Sequence, residues 1–207
     1  AEEYGIERWS TNLEACLDNP DDPIYFDAQT TAARAEGVRA AILAGKHIYC
    51  EKPTANDLPA ALELARMAQA HGVKHGVVQD KLFLPGMLKL KRLVDSGFFG
   101  RIIAARGEFG YWVFERDWQT PQRPSWNYKL EEGGGIILDM LCHWRYVLDH
   151  ILGSVRAVSC VATTHIPERL DEQGRPYPAT AEDAAYATFE LEGGVLGEYS
   201  GPRLVLF

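Results

Sequence analysis

Residues 47–78 have the sequence HIYCEKPTANDLPAALELARMAQAHGVKHGVV, and this stretch decides the predicted fold. It begins with a predicted strand at residues 47–50, continues as a helix that ends at Gly72, and closes with a second predicted strand at residues 74–78. A similar pair lies directly before it, with a strand at residues 24–28 and a helix at about 31–44. Strands that alternate with helices in this way predict a partial doubly wound parallel sheet of the Rossmann type in an α/β protein.

The pattern changes after about residue 80. Two helices are predicted at residues 85–95 and 135–151, and strands are predicted at residues 101–110, 155–165, 183–191 and 195–199. The last two strands are joined by Gly193 and Gly194, which indicates a hairpin. We therefore predict the remainder of a dinucleotide-binding domain at residues 1–80. An α+β domain with a mainly antiparallel open sheet follows at residues 81–207.

Composition narrows the classes of protein. The chain of 207 residues is 46% hydrophobic and carries a formal charge of -8, so an extended basic surface for nucleic acid is not expected. No apolar run is long enough to span a bilayer, and the four cysteines form no C-x-x-C pair. We expect a cytoplasmic protein with reduced thiols, no membrane partner and no nucleic-acid partner.

The first candidate site is the sequence CEKP at residues 50–53, directly after the strand at residues 47–50. In open α/β sheets the ligand crevice lies at the carboxyl ends of the strands. The ammonium group of Lys52 is able to hold a substrate oxygen there and to stabilise developing negative charge. The alternative is a solvated Glu51–Lys52 pair in a turn, and the tetrapeptide alone favours that alternative.

The second candidate is the run GGGIILDMLCH at residues 133–143. Asp139 and His143 are four residues apart, so a helix places them on one face, where the carboxylate orients the imidazole. Such a histidine suits proton removal from an alcohol. The alternative is a surface pair, which the surrounding apolar residues disfavour because they indicate a buried helix.

Together these motifs resemble the Gfo/Idh/MocA family, which includes glucose-fructose oxidoreductase and inositol dehydrogenase. The resemblance lies in AAILAGKHIYCEKP at residues 40–53, DSGFFGRI at residues 95–102, the run at residues 133–143, and Glu182–Asp183 with the later Gly193–Gly194 turn. It covers nearly the whole chain.

The resemblance implies an enzyme that transfers a hydride between NAD or NADP and a hydroxyl-bearing carbon of a sugar, polyol or related small molecule. It implies that Lys52, Asp139 and His143 are catalytic, with His143 as the acid/base. It also implies a homo-oligomer that forms through the C-terminal sheet. The alternative function is a nucleotide-sensing regulatory or scaffold protein on the same fold, which has no need of an acid/base.

Further candidates follow from their positions. Ala28, Thr30 and Gln79 are cofactor-binding candidates at the strand ends, and the resemblance implies that Glu51, Lys52 and Pro53 also contact the cofactor. Substrate-binding candidates are Lys81, Tyr111, Trp126 and Asn127. Core packing is the alternative for each aromatic residue. No metal site is predicted, because His71 and His75 have no accompanying ligand cluster.

The sequence departs from the family pattern in three places. It contains no G-x-G-x-x-G turn, which cradles the cofactor's pyrophosphate, so we expect a chain truncated at its N-terminus and also incomplete at its C-terminus. We also expect weak NAD(P) binding by this chain alone. Residues 29–34 lack the Pro-containing turn and the histidine that the family often has there, and Leu141 stands where glycine is frequent.

Overall fold

The computed structural model describes residues 1–108 and 124–201, which divide into two units at Val78 and Gln79. Unit 1 comprises residues 1–78, and unit 2 begins at Gln79. Among the described helices, none is long and apolar enough to cross a membrane.

Unit 1 is built on a parallel sheet of three strands, with the first helix, α1 (Leu13–Leu17), preceding the sheet. The strands β1 (Ile24–Asp27), β2 (His47–Cys50) and β3 (His75–Val77) lie side by side in that order. The helices α2 (Thr31–Leu43) and α3 (Leu58–Ala70) connect them. The predicted Rossmann-like arrangement is therefore confirmed.

Local residues explain where α3 begins. The Asp57 side chain accepts a hydrogen bond from the N–H of Ala60 (2.9 Å) and so caps α3, which also has Pro59 in its first turn. The helices pack on the sheet through a continuous apolar cluster. Its fully buried members include Val38, Ala41, Ile42, Ile48, Cys50, Leu64 and Ala68.

Unit 2 contains a mixed sheet of four strands in the order β4-β9-β8-β5. These strands are β4 (Ala104–Glu108), β5 (Val155–Thr163), β8 (Ala184–Leu191) and β9 (Leu196–Gly201). The pairs β5–β8 and β8–β9 are antiparallel, and only the β4–β9 pair is parallel. The mainly antiparallel sheet and the hairpin at Gly193 and Gly194 are thus confirmed.

The helices of unit 2 are α4 (Pro85–Asp95) and α5 (Cys142–Ile151). From Ala185 onward, strand β8 alternates between buried and exposed residues, and Phe189 and Leu191 are buried in a cluster that includes Trp144 and Leu148 of α5. This packing seats α5 on one face of the sheet. Tyr186, on the opposite face of β8, is 45% exposed.

Two features of unit 2 differ from the predictions. A small antiparallel hairpin, β6 (Glu168–Leu170) and β7 (Pro176–Pro178), was not predicted, because its prolines and short strands give no clear alternation. The helix predicted over residues 135–151 is not uniform. It begins as a π-helical turn at Ile137–Leu141 and becomes α-helical only at Cys142.

Candidate functional site

In unit 1, the carboxyl ends of β1 and β2 lie side by side because the strands pair in parallel, with Asp27 opposite Cys50. The N–H of Glu51 donates a hydrogen bond to the carbonyl of Asp27 (2.9 Å), which ties the turn after β2 to the end of β1. This edge is where parallel α/β sheets bind ligands. The structure brings five predicted cofactor-binding residues to it: Ala28, Thr30, Glu51, Lys52 and Pro53.

A buried arginine connects the two turns at this edge. Arg34 Nε donates to Asp27 Oδ2 (2.7 Å), Nη1 donates to the carbonyl of Pro53 (2.5 Å), and Nη2 donates to the carbonyl of Gln29 (2.7 Å). The side chains of Arg34 and Asp27 are only 3% and 0% exposed. Because a planar guanidinium fixes its acceptors in direction as well as distance, this one side chain positions both turns.

Close packing of α2 completes this polar network. Gln29 Nε2 donates both to Asp27 Oδ1 (2.9 Å) and to the Tyr25 hydroxyl (3.0 Å). A Cβ on Gly37 would lie 2.6 Å from each of these Gln29 and Tyr25 atoms, so glycine permits the close approach of α2. Burial raises the pKa of Tyr25, and the nearby charge of Asp27 raises it further.

Lys52 lies in a turn that its neighbours hold in place. Its main-chain N–H donates to Glu51 Oε2 (3.2 Å), and its peptide bond to Pro53 is cis. Lys52 is half-buried and lies at the ligand edge of the sheet. Its position suits the predicted contact with a ligand oxygen, and its catalytic role stays a prediction.

In unit 2, the glycine run permits tight packing around the start of the helix that carries His143. A Cβ on Gly134 would lie 2.6 Å from the carbonyl oxygens of Trp126 and Asn127. Gly135 has φ of +111°, and a Cβ there would lie 2.5 Å from a carboxylate oxygen of Glu182. Glycine at these two positions therefore allows the backbone near Gly134 and the Glu182 side chain near Gly135 to approach closely.

Glu182 caps the beginning of the π-helical turn. Its side chain accepts a hydrogen bond from the N–H of Ile137 (3.0 Å), and its carbonyl accepts one from Ile136 (3.0 Å). These bonds satisfy two N–H groups that a helix start leaves without partners. They also fix the segment that carries Asp139, whose N–H donates to the carbonyl of Gly135 (3.0 Å).

His143 is the buried centre of a polar cluster in unit 2. Its side chain is 5% exposed, and its Nδ1 lies 2.5 Å from the Tyr146 hydroxyl. The Tyr146 hydroxyl donates to Asp80 Oδ1 (3.3 Å) and accepts a hydrogen bond from the N–H of Lys81 (3.3 Å). Asp80, with a side chain that is 49% exposed, lies at the solvent end of this chain of contacts.

Electrostatics fix the ionisation of this cluster. Burial opposes ionisation of Asp80, but the bond from Lys81 Nζ (2.7 Å) and the charges of Lys81 and His143 together lower its pKa. Burial raises the pKa of Tyr146 strongly, and the charge of Asp80 adds to the rise. At neutral pH the cluster therefore contains a carboxylate beside a neutral phenol.

The remaining candidates have different outcomes. Lys81 pairs with Asp80, Gln79 is exposed at the start of unit 2, and Trp126 and Asn127 lie beside the glycine run. Tyr111 lies outside the described residues. For all of these residues, the predicted binding roles stay predictions.

Several residues of the polar networks were missed as candidates, and two of them, Tyr146 and Arg34, had a usable signal. Tyr146 lies three positions after His143, so its place on the same helix face was a usable signal. Arg34 was noted only as a departure from the family pattern. Its signal was a lone charged residue on a helix face that is otherwise formed by small and apolar residues.

A cleft of about 700 Å³ in unit 2 lies between α4, α5 and β4. Its lining is mainly apolar, with Met87, Leu90, Trp144 and Leu148 among its members, and it includes neither His143 nor Tyr146. Because sugars need hydrogen-bonding partners, we do not assign the substrate to this cleft.

Within residues 1–108 and 124–201, no group of three or more His, Cys, Asp or Glu residues is placed to hold a metal ion.

The fold and the polar clusters define the class: a parallel α/β unit of dinucleotide-binding type, followed by a unit with a mixed sheet. Two family models match the chain. The model of the oxidoreductase family with an NAD-binding Rossmann fold matches residues 1–79, and that of the GFO/IDH/MocA C-terminal domain matches residues 87–205. The chain belongs to the GFO/IDH/MocA oxidoreductase family.

Two curated relatives are sugar dehydrogenases. D-xylose dehydrogenase of Paenarthrobacter nicotinovorans is 57% identical over 192 residues, which are 93% of this chain and 50% of that protein. Levoglucosan dehydrogenase of Pseudarthrobacter phenanthrenivorans is 29% identical over 84% of this chain and 44% of its own length. The chain thus spans about half the length of these two relatives.

A solved structure agrees with these relationships. Levoglucosan dehydrogenase in complex with NADH and levoglucosan superposes with a TM-score of 0.84 at 27% identity. The match covers 99% of this chain and 54% of that one.

Proposed function

We propose that the complete protein is a dehydrogenase that uses NAD or NADP to oxidise a hydroxyl-bearing carbon of a sugar. The observation that carries this proposal is the buried His143 in its polar cluster, 2.5 Å from the Tyr146 hydroxyl, in a chain of this family. The 57% identity to a D-xylose dehydrogenase makes an aldopentose the first substrate to test.

The carboxyl edge of unit 1 has the chemistry that a nicotinamide nucleotide needs. Main-chain groups of Ala28 and Glu51, the hydroxyl of Thr30 and the ammonium of Lys52 offer donors and acceptors along one edge of the sheet. Arg34 holds the turns in place without itself presenting a charge to solvent, because its side chain is 3% exposed. When bound, the nicotinamide supplies the hydride acceptor.

Each predicted catalytic residue then has a distinct task. In unit 1, Lys52 holds the substrate oxygen and stabilises the charge that develops on it. In unit 2, His143 removes the hydroxyl proton, and Asp139 orients the substrate or the imidazole from the preceding turn. A regulatory protein has no need of this acid/base, so an inactive wild-type protein with tight nucleotide binding would favour that alternative.

The test uses the protein in its complete natural form and follows nicotinamide absorbance with aldopentoses, hexoses and polyols. Lys52→Ala and His143→Ala should each lower kcat by about 100-fold or more, because each removes a group that acts in the transition state. Matched controls are Lys74→Ala and His150→Ala, which change exposed residues of the same types. Full activity in the Lys52→Ala/His143→Ala double variant would contradict the assignment.

We also propose that the open face of the unit 2 sheet pairs with a second copy. Val161 and Tyr186 are neighbours in the β5–β8 register and are 69% and 45% exposed, while Leu196 is 51% exposed. Apolar side chains on a sheet face favour association. Sedimentation of the complete protein tests this, with Val161→Lys expected to shift a dimer toward the monomer. A wild-type monomer at micromolar concentration would contradict it.

A further inference from the structure

The hydrogen bonds around Tyr146 determine where the proton of His143 resides. A phenol has one proton to donate and two lone pairs that accept. The N–H of Lys81 already occupies one lone pair of the Tyr146 oxygen at 3.3 Å. The remaining neighbours are His143 Nδ1 at 2.5 Å and Asp80 Oδ1 at 3.3 Å, so the single phenol proton goes to one of them.

Only one of these two arrangements makes all the contacts of Tyr146 with His143, Asp80 and Lys81 favourable. If the phenol proton pointed to Nδ1, the Asp80 carboxylate would face the bare phenol oxygen at 3.3 Å without a proton between them. It would also lie 3.7 Å from an imidazole nitrogen that carries no proton. If the phenol proton points to Asp80, then Nδ1–H of His143 donates to the phenol oxygen, and each contact is favourable.

The ionisation of Asp80 supports the second arrangement. Lys81 Nζ donates to Asp80 Oδ2 at 2.7 Å and helps to keep the carboxylate ionised. An ionised carboxylate only accepts hydrogen bonds, so it draws the proton of the phenol toward itself. Tyr146 then becomes the acceptor for Nδ1–H of His143.

We propose that Asp80 and Tyr146 hold neutral His143 as its Nδ1–H tautomer and form the exit path for the proton that it receives. In this tautomer Nε2 is the basic nitrogen of the ring. The path runs from a side chain that is 5% exposed to one that is 49% exposed, so it connects a buried base with solvent. Tyr146 is a positioning residue, because it acts on the substrate only through His143.

In one oxidation a single proton enters and a single proton leaves along this path, and the ring ends as its Nε2–H tautomer, which proton exchange returns to Nδ1–H before the next turnover. The substrate hydroxyl gives its proton to Nε2, and Nδ1 gives its proton to the Tyr146 oxygen. The phenol proton passes to Asp80, which releases it to water. Tyr146 need not ionise, since it gains one proton as it loses another. This transfer step rests on the proposed function, but the tautomer does not.

The tautomer is measured by nitrogen NMR on the full 207-residue chain labelled with 15N at histidine. His143→Gln identifies the signal among the six histidines. We expect Nδ1 protonated in the wild type above the pH at which the ring becomes neutral. Tyr146→Phe should shift the population toward Nε2–H. The control Tyr186→Phe, which changes an exposed tyrosine on β8, should not change it.

A wild-type His143 with its proton on Nε2 would overturn the proposal, as would an unchanged tautomer in both Tyr146→Phe and Asp80→Leu. The second variant removes the carboxylate while keeping the phenol, so the test does not depend on one variant folding.

Kinetics of the complete protein test the exit path. Tyr146→Phe should lower kcat by about tenfold or more and change KM by less than about threefold, because the loss affects proton transfer rather than binding. An unchanged kcat would contradict the path. An inactive wild type would contradict the proposed function instead, and the NMR experiment would still determine the tautomer of His143.

Discussion

At the residue scale, the Asp27–Arg34 pair shows how one buried interaction supports a ligand edge. Both side chains are almost fully buried, and the guanidinium also holds the carbonyls of Gln29 and Pro53. Removing one partner of such a pair leaves a buried charge without its counterion. That cost far exceeds the modest net gain from forming the pair.

Arg34→Met should therefore lower the free energy of unfolding by about 3–5 kcal/mol, because Asp27 stays buried without its partner. Urea unfolding of the full chain measures this loss. Arg39→Met is the matched control on the same helix, since Arg39 pairs with Glu63 at side-chain exposures of 37% and 51%. The control should lose less than about 1 kcal/mol. Equal losses in both variants would contradict the role assigned to Arg34.

Asp80→Asn tests the electrostatics of the His143 cluster. The positive charge of protonated His143 lowers the pKa of Asp80, so by reciprocity the Asp80 carboxylate favours the protonated ring. Without that charge, the ring becomes neutral at lower pH. The acidic limb of kcat/KM should therefore move toward lower pH, because the carboxylate and the ring are less than 4 Å apart.

The pH profile of kcat/KM for the complete protein provides the measurement. Asp95→Asn serves as the control, since it removes a carboxylate that pairs with Lys91 on α4. A shift toward higher pH in Asp80→Asn, or the same shift in the control, would contradict the account.

At the element scale, the start of the helix that carries His143 depends on two unusual glycines. The π-helical turn at residues 137–141 separates Gly135 from α5, and Glu182 caps it from the neighbouring loop. Turns of this kind often occur at functional sites, where the wider spacing redirects a side chain. Here it precedes the buried His143 by two residues.

Gly134→Ala should destabilise the protein by about 1–3 kcal/mol, because its Cβ would lie 2.6 Å from two backbone oxygens that have little freedom to move. Gly86→Ala is the control in α4, where a Cβ would meet nothing within 4 Å. That change should be neutral or stabilise by up to about 1 kcal/mol. Thermal unfolding measures both, and a neutral Gly134→Ala would contradict the close packing.

The same elements show what the sequence could predict. Apolar runs and helix ends were sufficient for β1, β2 and the helices that follow them, because strands of parallel sheets are rich in apolar residues. The π-helical turn left no signal in the nearby sequence, and Glu182, which caps its start, lies 45 residues from Ile137. The short β6–β7 hairpin was also not predictable, because its three-residue strands contain two prolines.

At the scale of the whole molecule, the candidate residues were predictable only in part. Motif resemblance identified Lys52 and His143, and the structure places Lys52 just after the end of β2 and buries the side chain of His143. It did not predict the partners that control them. Asp80 and Tyr146 are 66 residues apart in sequence, and only the fold brings them within 3.3 Å. The weak NAD(P) binding expected for this chain stays a prediction.

The central claim is direct hydride transfer from a sugar, and isotope transfer tests it most directly. The complete protein is incubated with NAD+ or NADP+ and an aldopentose deuterated at its hydroxyl-bearing carbons, and the nicotinamide product is examined by proton NMR. The reduced nicotinamide is expected to carry one deuterium at C4, and the His143→Ala variant is expected to form almost no reduced nicotinamide. Reduced nicotinamide without deuterium, or no reduction with any sugar tested, would contradict it.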